Sequence, residues 1–110
     1  MTRITISTLL AGFLLSVTAT PVMAADMKAG KKKARACRTC HGIDGIARIP
    51  IAPHLAGESQ VYIETQLKAF RNGKREHEMM TVVAEGLSDE DISDLAKWYS
   101  SIEITAKMPE

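Results

Sequence analysis

The chain has 110 residues, 45% of them hydrophobic and 25% charged, with a formal net charge of +1. Near-neutral charge argues against a nucleic-acid binder, and the length allows one small domain with a limited core. Only two cysteines and five aromatic residues (Phe13, Tyr62, Phe70, Trp98, Tyr99) are present, so neither a disulfide framework nor a large aromatic core is expected.

The first segment, residues 1–24, carries one charge, Arg3, then an apolar run from Ile4 to Ala19, Pro21, and the small-residue site Val22-Met23-Ala24. These three regions predict a cleaved secretory signal, with cleavage after Ala24 and Ala25 as the near alternative. An uncleaved anchor is the competing reading, but the run is short for a span of about 20 residues and is interrupted by Ser and Thr. Export would place residues 25–110 in an oxidising compartment, the periplasm in a bacterium. Without Arg3, 13 basic side chains balance 13 acidic ones.

A first helix is predicted from Asp26 to Cys40, capped by Asp26 and favoured by Ala29, Ala34 and Ala36. Gly30 is costly inside a helix, by about 1 kcal/mol, and marks a close helix crossing. The helix delivers Cys37-Arg38-Thr39-Cys40-His41, the C-x-x-C-H attachment signature of c-type haem. Two thiols three apart on one turn reach the two vinyl groups of one porphyrin, and His41 offers an imidazole nitrogen to the iron. Three other readings of the motif exist. A thioredoxin-like pair needs a βαβ context, which is absent from the pattern. A zinc site needs two more ligands, for which only His41, His54 and His77 are available. A simple disulfide is the third.

Residues 41–59 are rich in Gly and Pro, lack helical period, and read as a loop wrapped around something. A second helix is predicted from Gln60 to Asn72, opened by Glu58 or Ser59, with Ile63, Leu67 and Phe70 on one face and Asn72-Gly73 as its stop. The segment Gly73 to Gly86 is too long for a plain connection and arches over the second face of the haem. It contains Met79, Met80 and His77. A sixth iron ligand is usually Met or His, Met raising the reduction potential. Met27 shares a helix with the cysteines and Met108 lies in a ragged tail, which leaves Met79 and Met80; a methionine pair also serves as core filling. The third helix begins after Ser88, with Asp91 completing a capping box, Leu87 and Ile92 in staple positions, and Asp89 and Glu90 at the positive end of the dipole. Its buried face is Ile92, Leu95, Ala96, Trp98, Tyr99 and Ile102. No strands are expected, and the tail from Thr105 is loose.

The C-x-x-C-H near the start, a later methionine and a final capped helix resemble a class I c-type cytochrome. Pro53-His54-Leu55-Ala56-Gly57 is similar to the P-x-L-A-G segment of small bacterial single-haem cytochromes c and of the halves of periplasmic dihaem cytochromes c. Tyr62, Gln66-Leu67, Phe70, Gly73, Arg75 and Leu87 to Ile92 continue the pattern. The resemblance implies an all-α class I fold, three main helices around one covalently attached haem. It also implies Met80, seven residues before Leu87, as the iron ligand opposite His41. The Pro53 carbonyl would accept the other ring N–H of His41, and Gly30 would let the first helix cross the last against Trp98. Arg71 and Arg75 face haem propionates or water; His54 and His77 read as surface residues.

The expected function is periplasmic electron transfer on a His41/Met80 iron, by a protein that is not itself an enzyme. It would act as a monomer or in transient complexes with redox partners. Lys31, Lys32, Lys33, Arg35 and Arg38 would form a basic docking rim, against solvated helix faces as the plainer reading. The alternatives are the haem subunit of a larger dehydrogenase, for example one oxidising sulfide or another sulfur compound, and a gas-binding haem protein with a labile distal Met.

Overall fold

A computed structural model describes Ala19, Pro21 and residues 23–110; most of the expected signal segment therefore lies outside the described residues. The elements are helices α1 (Met27–Lys33), α2 (Arg38–His41), α3 (Gln60–Arg71), α4 (Met80–Glu85) and α5 (Asp89–Ser100), with a 3-10 turn, Ala34–Ala36, between α1 and α2. No strand occurs among the described residues.

Helix α1 starts where the sequence predicts. The Asp26 carboxylate accepts the amide N–H groups of Lys28 and Ala29, two donors left orphaned by the first turn. The expected continuous helix to Cys40 is instead broken. The 3-10 turn carries Cys37 N–H onto the Ala34 carbonyl at 3.0 Å before α2 resumes. Three residues per turn in place of 3.6 rotate everything downstream, and Cys37 comes to pack against the buried cluster that includes Leu95, Ala96 and Tyr99.

That crossing of α1 and α5 is the tightest in the molecule. A Cβ on Gly30 would collide with the backbone carbonyl of Asp94 and press on the Trp98 Cβ. The backbones touch because position 30 has no side chain. Lys31 then lies over the Trp98 ring, 5.3 Å from its centre. The Asp26 amide donates to Asp94 Oδ1 at 2.7 Å, pinning the start of α1 to the middle of α5.

Helix α5 carries the predicted capping box. Asp91 N–H donates to Ser88 Oγ (3.0 Å), and Ser88 N–H to Asp91 Oδ2 (2.9 Å). Ile92, Leu95, Ala96 and Tyr99 are buried along one face, together with Ala34 and Ile63 from the neighbouring elements. Trp98 and Ile102 are only partly buried. Helix α3 begins at Ser59, whose hydroxyl accepts the Tyr62 amide, and buries Ile63 and Phe70. Arg71 joins α3 to the start of α5, donating to the Leu87 carbonyl and pairing with Asp89. Its guanidinium is thus a strut, which removes it as a candidate for propionates.

The loop between α2 and α3 is stitched down by backbone bonds. Leu55 and Ala56 N–H both reach the Gly45 carbonyl, and Gly57 N–H reaches the Tyr99 carbonyl. From α5, Trp98 Nε1–H donates to Ile43 O and Tyr99 O–H to Gly42 O. Gly45, at φ +73°, lies so close to the Ala56 backbone that no side chain fits there. Residues after Ser101 form no regular element, and Thr105 onward is exposed.

Candidate haem site

The elements enclose a cleft of about 380 Å³ whose lining includes Cys37, Cys40, His41, Pro53, Met79 and Met80. Its walls are mostly apolar, with Ile49, Leu55, Ile63, Leu67, Phe70, Leu87 and Leu95 among them.

His41 ends α2 and is buried. Its Nδ1 lies 2.9 Å from the Pro53 carbonyl oxygen. A carbonyl can only accept, so Nδ1 carries the proton, and in the neutral ring the lone pair is then on Nε2. That is the tautomer a metal-binding imidazole needs, with its orientation and basicity set by the second hydrogen bond. The two thiols are free and half-buried, Cys37 one turn before His41 and Cys40 immediately before it. Burial pushes the Cys37 thiol up, with the neighbouring Cys40 adding to the shift, and Tyr99 is pushed up for the same first reason.

Met79 and Met80 line the same cleft as His41. Met79 is 43% exposed and Met80 is partly buried. Sequence reasoning treated their segment as an arch and missed α4. Six residues with no Ser, Thr, Asp or Asn immediately before them give no ordinary start signal. The signal lies two residues further back, in His77. Met27 and Met108 are exposed and outside the cleft.

The histidines away from α2 are occupied with the backbone. His54 Nδ1 accepts the Ala47 amide at 2.8 Å, and His77 Nδ1 accepts the amides of Met79 and Met80. Both residues are exposed. Among the described residues no cluster of three or more His, Cys, Asp or Glu could hold a metal ion, which removes the zinc reading of the cysteine pair. Arg75 lines the cleft, lies 4.6 Å over the Phe70 ring, and donates to Gln66 Oε1 at 2.6 Å. The donor set and apolar walls fit a haem: two thiols for its vinyls, an imidazole with a free Nε2, and a thioether-bearing helix lining the same cleft.

Residues 24–98 match the family model described as cytochrome c oxidase, cbb3-type, subunit III. The chain belongs to the cytochrome c family. This cytochrome is 48% identical over 83 residues to cytochrome c-554(548) of Halomonas halodenitrificans, covering 73% of the chain and all of that protein. It is 34% identical over 110 residues to cytochrome c4 of Pseudomonas aeruginosa, covering the whole chain but 53% of the relative. The chain thus spans about half the length of that relative. Among solved structures, reduced cytochrome c4 from Pseudomonas stutzeri superposes with a TM-score of 0.68 at 35% identity, over 73% of this chain and 47% of the other. A further relative, 36% identical over 66 residues (60% of the chain, 59% of the relative), is the cytochrome subunit of sulfide dehydrogenase of Chlorobaculum tepidum. Family membership brings the cofactor: one covalently bound haem c, for which Cys37, Cys40 and His41 supply the motif.

Proposed function

We propose that this cytochrome is a one-electron carrier of the periplasm, exported by residues 1–24, with His41 and Met80 as the two axial ligands of its iron. The observation that supports the reading is the Nδ1–H of His41 donating to Pro53 in a cleft that Met80 of α4 also lines. When bound, haem c supplies a one-electron iron couple. The chain's residues do the rest. Cys37 and Cys40 tether the porphyrin, Pro53 holds the imidazole, and Ile63, Leu67, Phe70 and Leu95 keep water from the site and lower its dielectric. If His41 and Met80 both held the iron, no open coordination position would remain for a substrate, and the group would supply outer-sphere electron transfer. No helix among the described residues is long and apolar enough to cross a membrane.

Absorption spectra of the periplasmically expressed protein, beside Met80→Ala, test this. The expected result is a covalent c-type spectrum with a weak far-red methionine-to-ferric-iron band that disappears in the variant. A band surviving in Met80→Ala moves the ligand to Met79. No band in the wild type removes methionine ligation and favours gas binding.

A second reading is favoured by the sulfide-dehydrogenase relative: a haem subunit held permanently by a larger dehydrogenase. Isolation under mild conditions separates the two, since a subunit elutes with a stoichiometric partner and a free carrier elutes alone.

A further inference from the structure

The helix that bears Met80 is unusual in how it starts. Helix α4 has six residues, too few to hold themselves in helical form, and its first amides have no intrahelical acceptor. The residue in the ordinary capping position is Met79, which makes no side-chain cap. The acceptor comes instead from His77. Its Nδ1 takes the Met79 amide at 3.2 Å and the Met80 amide at 3.3 Å, a shared bond at the i+2 and i+3 spacing that Asx caps use. The closure is reciprocal. His77 N–H donates to Thr81 Oγ1 at 3.0 Å, and Thr81 N–H returns to the His77 carbonyl at 3.0 Å. His77 lines the cleft beside the two methionines and does nothing else that the fold requires.

We propose that His77 is the positioning residue of the methionine ligand: its ring, together with Thr81, locks the backbone of Met80 so that the thioether is presented to the iron at low conformational cost. The inference rests on Met80 being the ligand. A flexible segment would have to be ordered each time the bond forms; a capped one is already ordered. The cap therefore sets how readily an outside ligand displaces the methionine, because a competitor binds only the fraction in which Met80 is off.

The test is titration of the ferric holoprotein with imidazole at fixed pH, followed by loss of the far-red band. His77→Ala is expected to bind imidazole roughly 5-fold more tightly than wild type, the fold-change corresponding to loss of one cap. Asn offers a carbonyl at the same spacing, so His77→Asn is expected within about 2-fold of wild type. Thr81→Val, which keeps the shape and deletes one acceptor, is expected to bind roughly 2–3-fold more tightly by loss of one hydrogen bond, and serves if His77→Ala yields no holoprotein. Ser88→Ala, which loosens α5 instead, is expected to leave imidazole affinity unchanged. Equal affinity in wild type, His77→Ala and Thr81→Val overturns the proposal while leaving Met80 ligation intact, and so does a Ser88→Ala shift as large as that of His77→Ala. A wild type without the band, or a band retained in Met80→Ala, overturns the ligand reading itself and the proposal with it.

Discussion

Asp94 carries an unusual burden for a single side chain. It is 2% exposed, accepts the Asp26 amide through Oδ1, and has no hydrogen-bond partner for Oδ2; the nearest cation, Lys33 Nζ, is 3.9 Å away. Removing its acceptor deletes the hydrogen bond from the Asp26 amide, so Asp94→Ala should cost about 0.5–1.5 kcal/mol. Asp94→Asn keeps an acceptor and should cost less; denaturant midpoints of the two variants decide the order. Asp91 is the charged counterpart at the surface. The Lys33 ammonium, 2.8 Å away, and the Ser88 amide hold its carboxyl below the usual carboxylate range. A depressed carboxylate contributes stability above its unfolded pKa, near 4, and that contribution is lost as pH falls through the folded value. Unfolding midpoints should therefore decline below about pH 4, and Asp91→Asn should show a shallower decline.

Among the elements, the α1–α5 crossing has the least tolerance. Gly30→Ala must push the helix backbone off the Asp94 carbonyl, because no flexible side chain is there to yield. The expected loss is about 2 kcal/mol or more. Since α1 leads through the 3-10 turn into the cysteines, holoprotein yield should fall with it. Thermal unfolding and haem stain per milligram of protein measure both. Helix α4 sits at the opposite extreme, six residues long and capped by one imidazole.

For the whole molecule, charge is divided. Lys32, Arg35 and Arg38 on the haem-binding segment are exposed and make no ion pair among the described residues. Lys33 is tied to Asp91, and Lys31 covers Trp98. The docking rim anticipated from Lys31, Lys32, Lys33, Arg35 and Arg38 thus narrows to the three unpaired cations as the part available to a partner. If an acidic partner docks there, reversing Lys32, Arg35 and Arg38 to Glu should slow its electron transfer at low salt and flatten the salt dependence. Stopped-flow reduction over a range of ionic strength measures it, and an unchanged slope removes the rim.

Local patterns were legible because their causes are local. The C-x-x-C-H spacing, the Asp26 and Ser88 caps, and the apolar stripes of α3 and α5 follow from helix geometry and short-range hydrogen bonding. These gave the helices and the haem-attachment motif, and the resemblance of Pro53–Gly57 and Leu87–Ile92 to class I cytochromes c implied the fold. The tertiary structure decided what depends on residues distant in the chain meeting. It turned Arg71 into a strut to Leu87 and Asp89 and buried Asp94 on a helix face that periodicity assigned to apolar residues, while the Pro53–His41 contact is the one the resemblance had implied. It also broke the first helix at Ala34–Ala36 and made a cap of His77. No propensity encodes these, because each hydrogen-bond partner or steric neighbour exists only once the helices have packed.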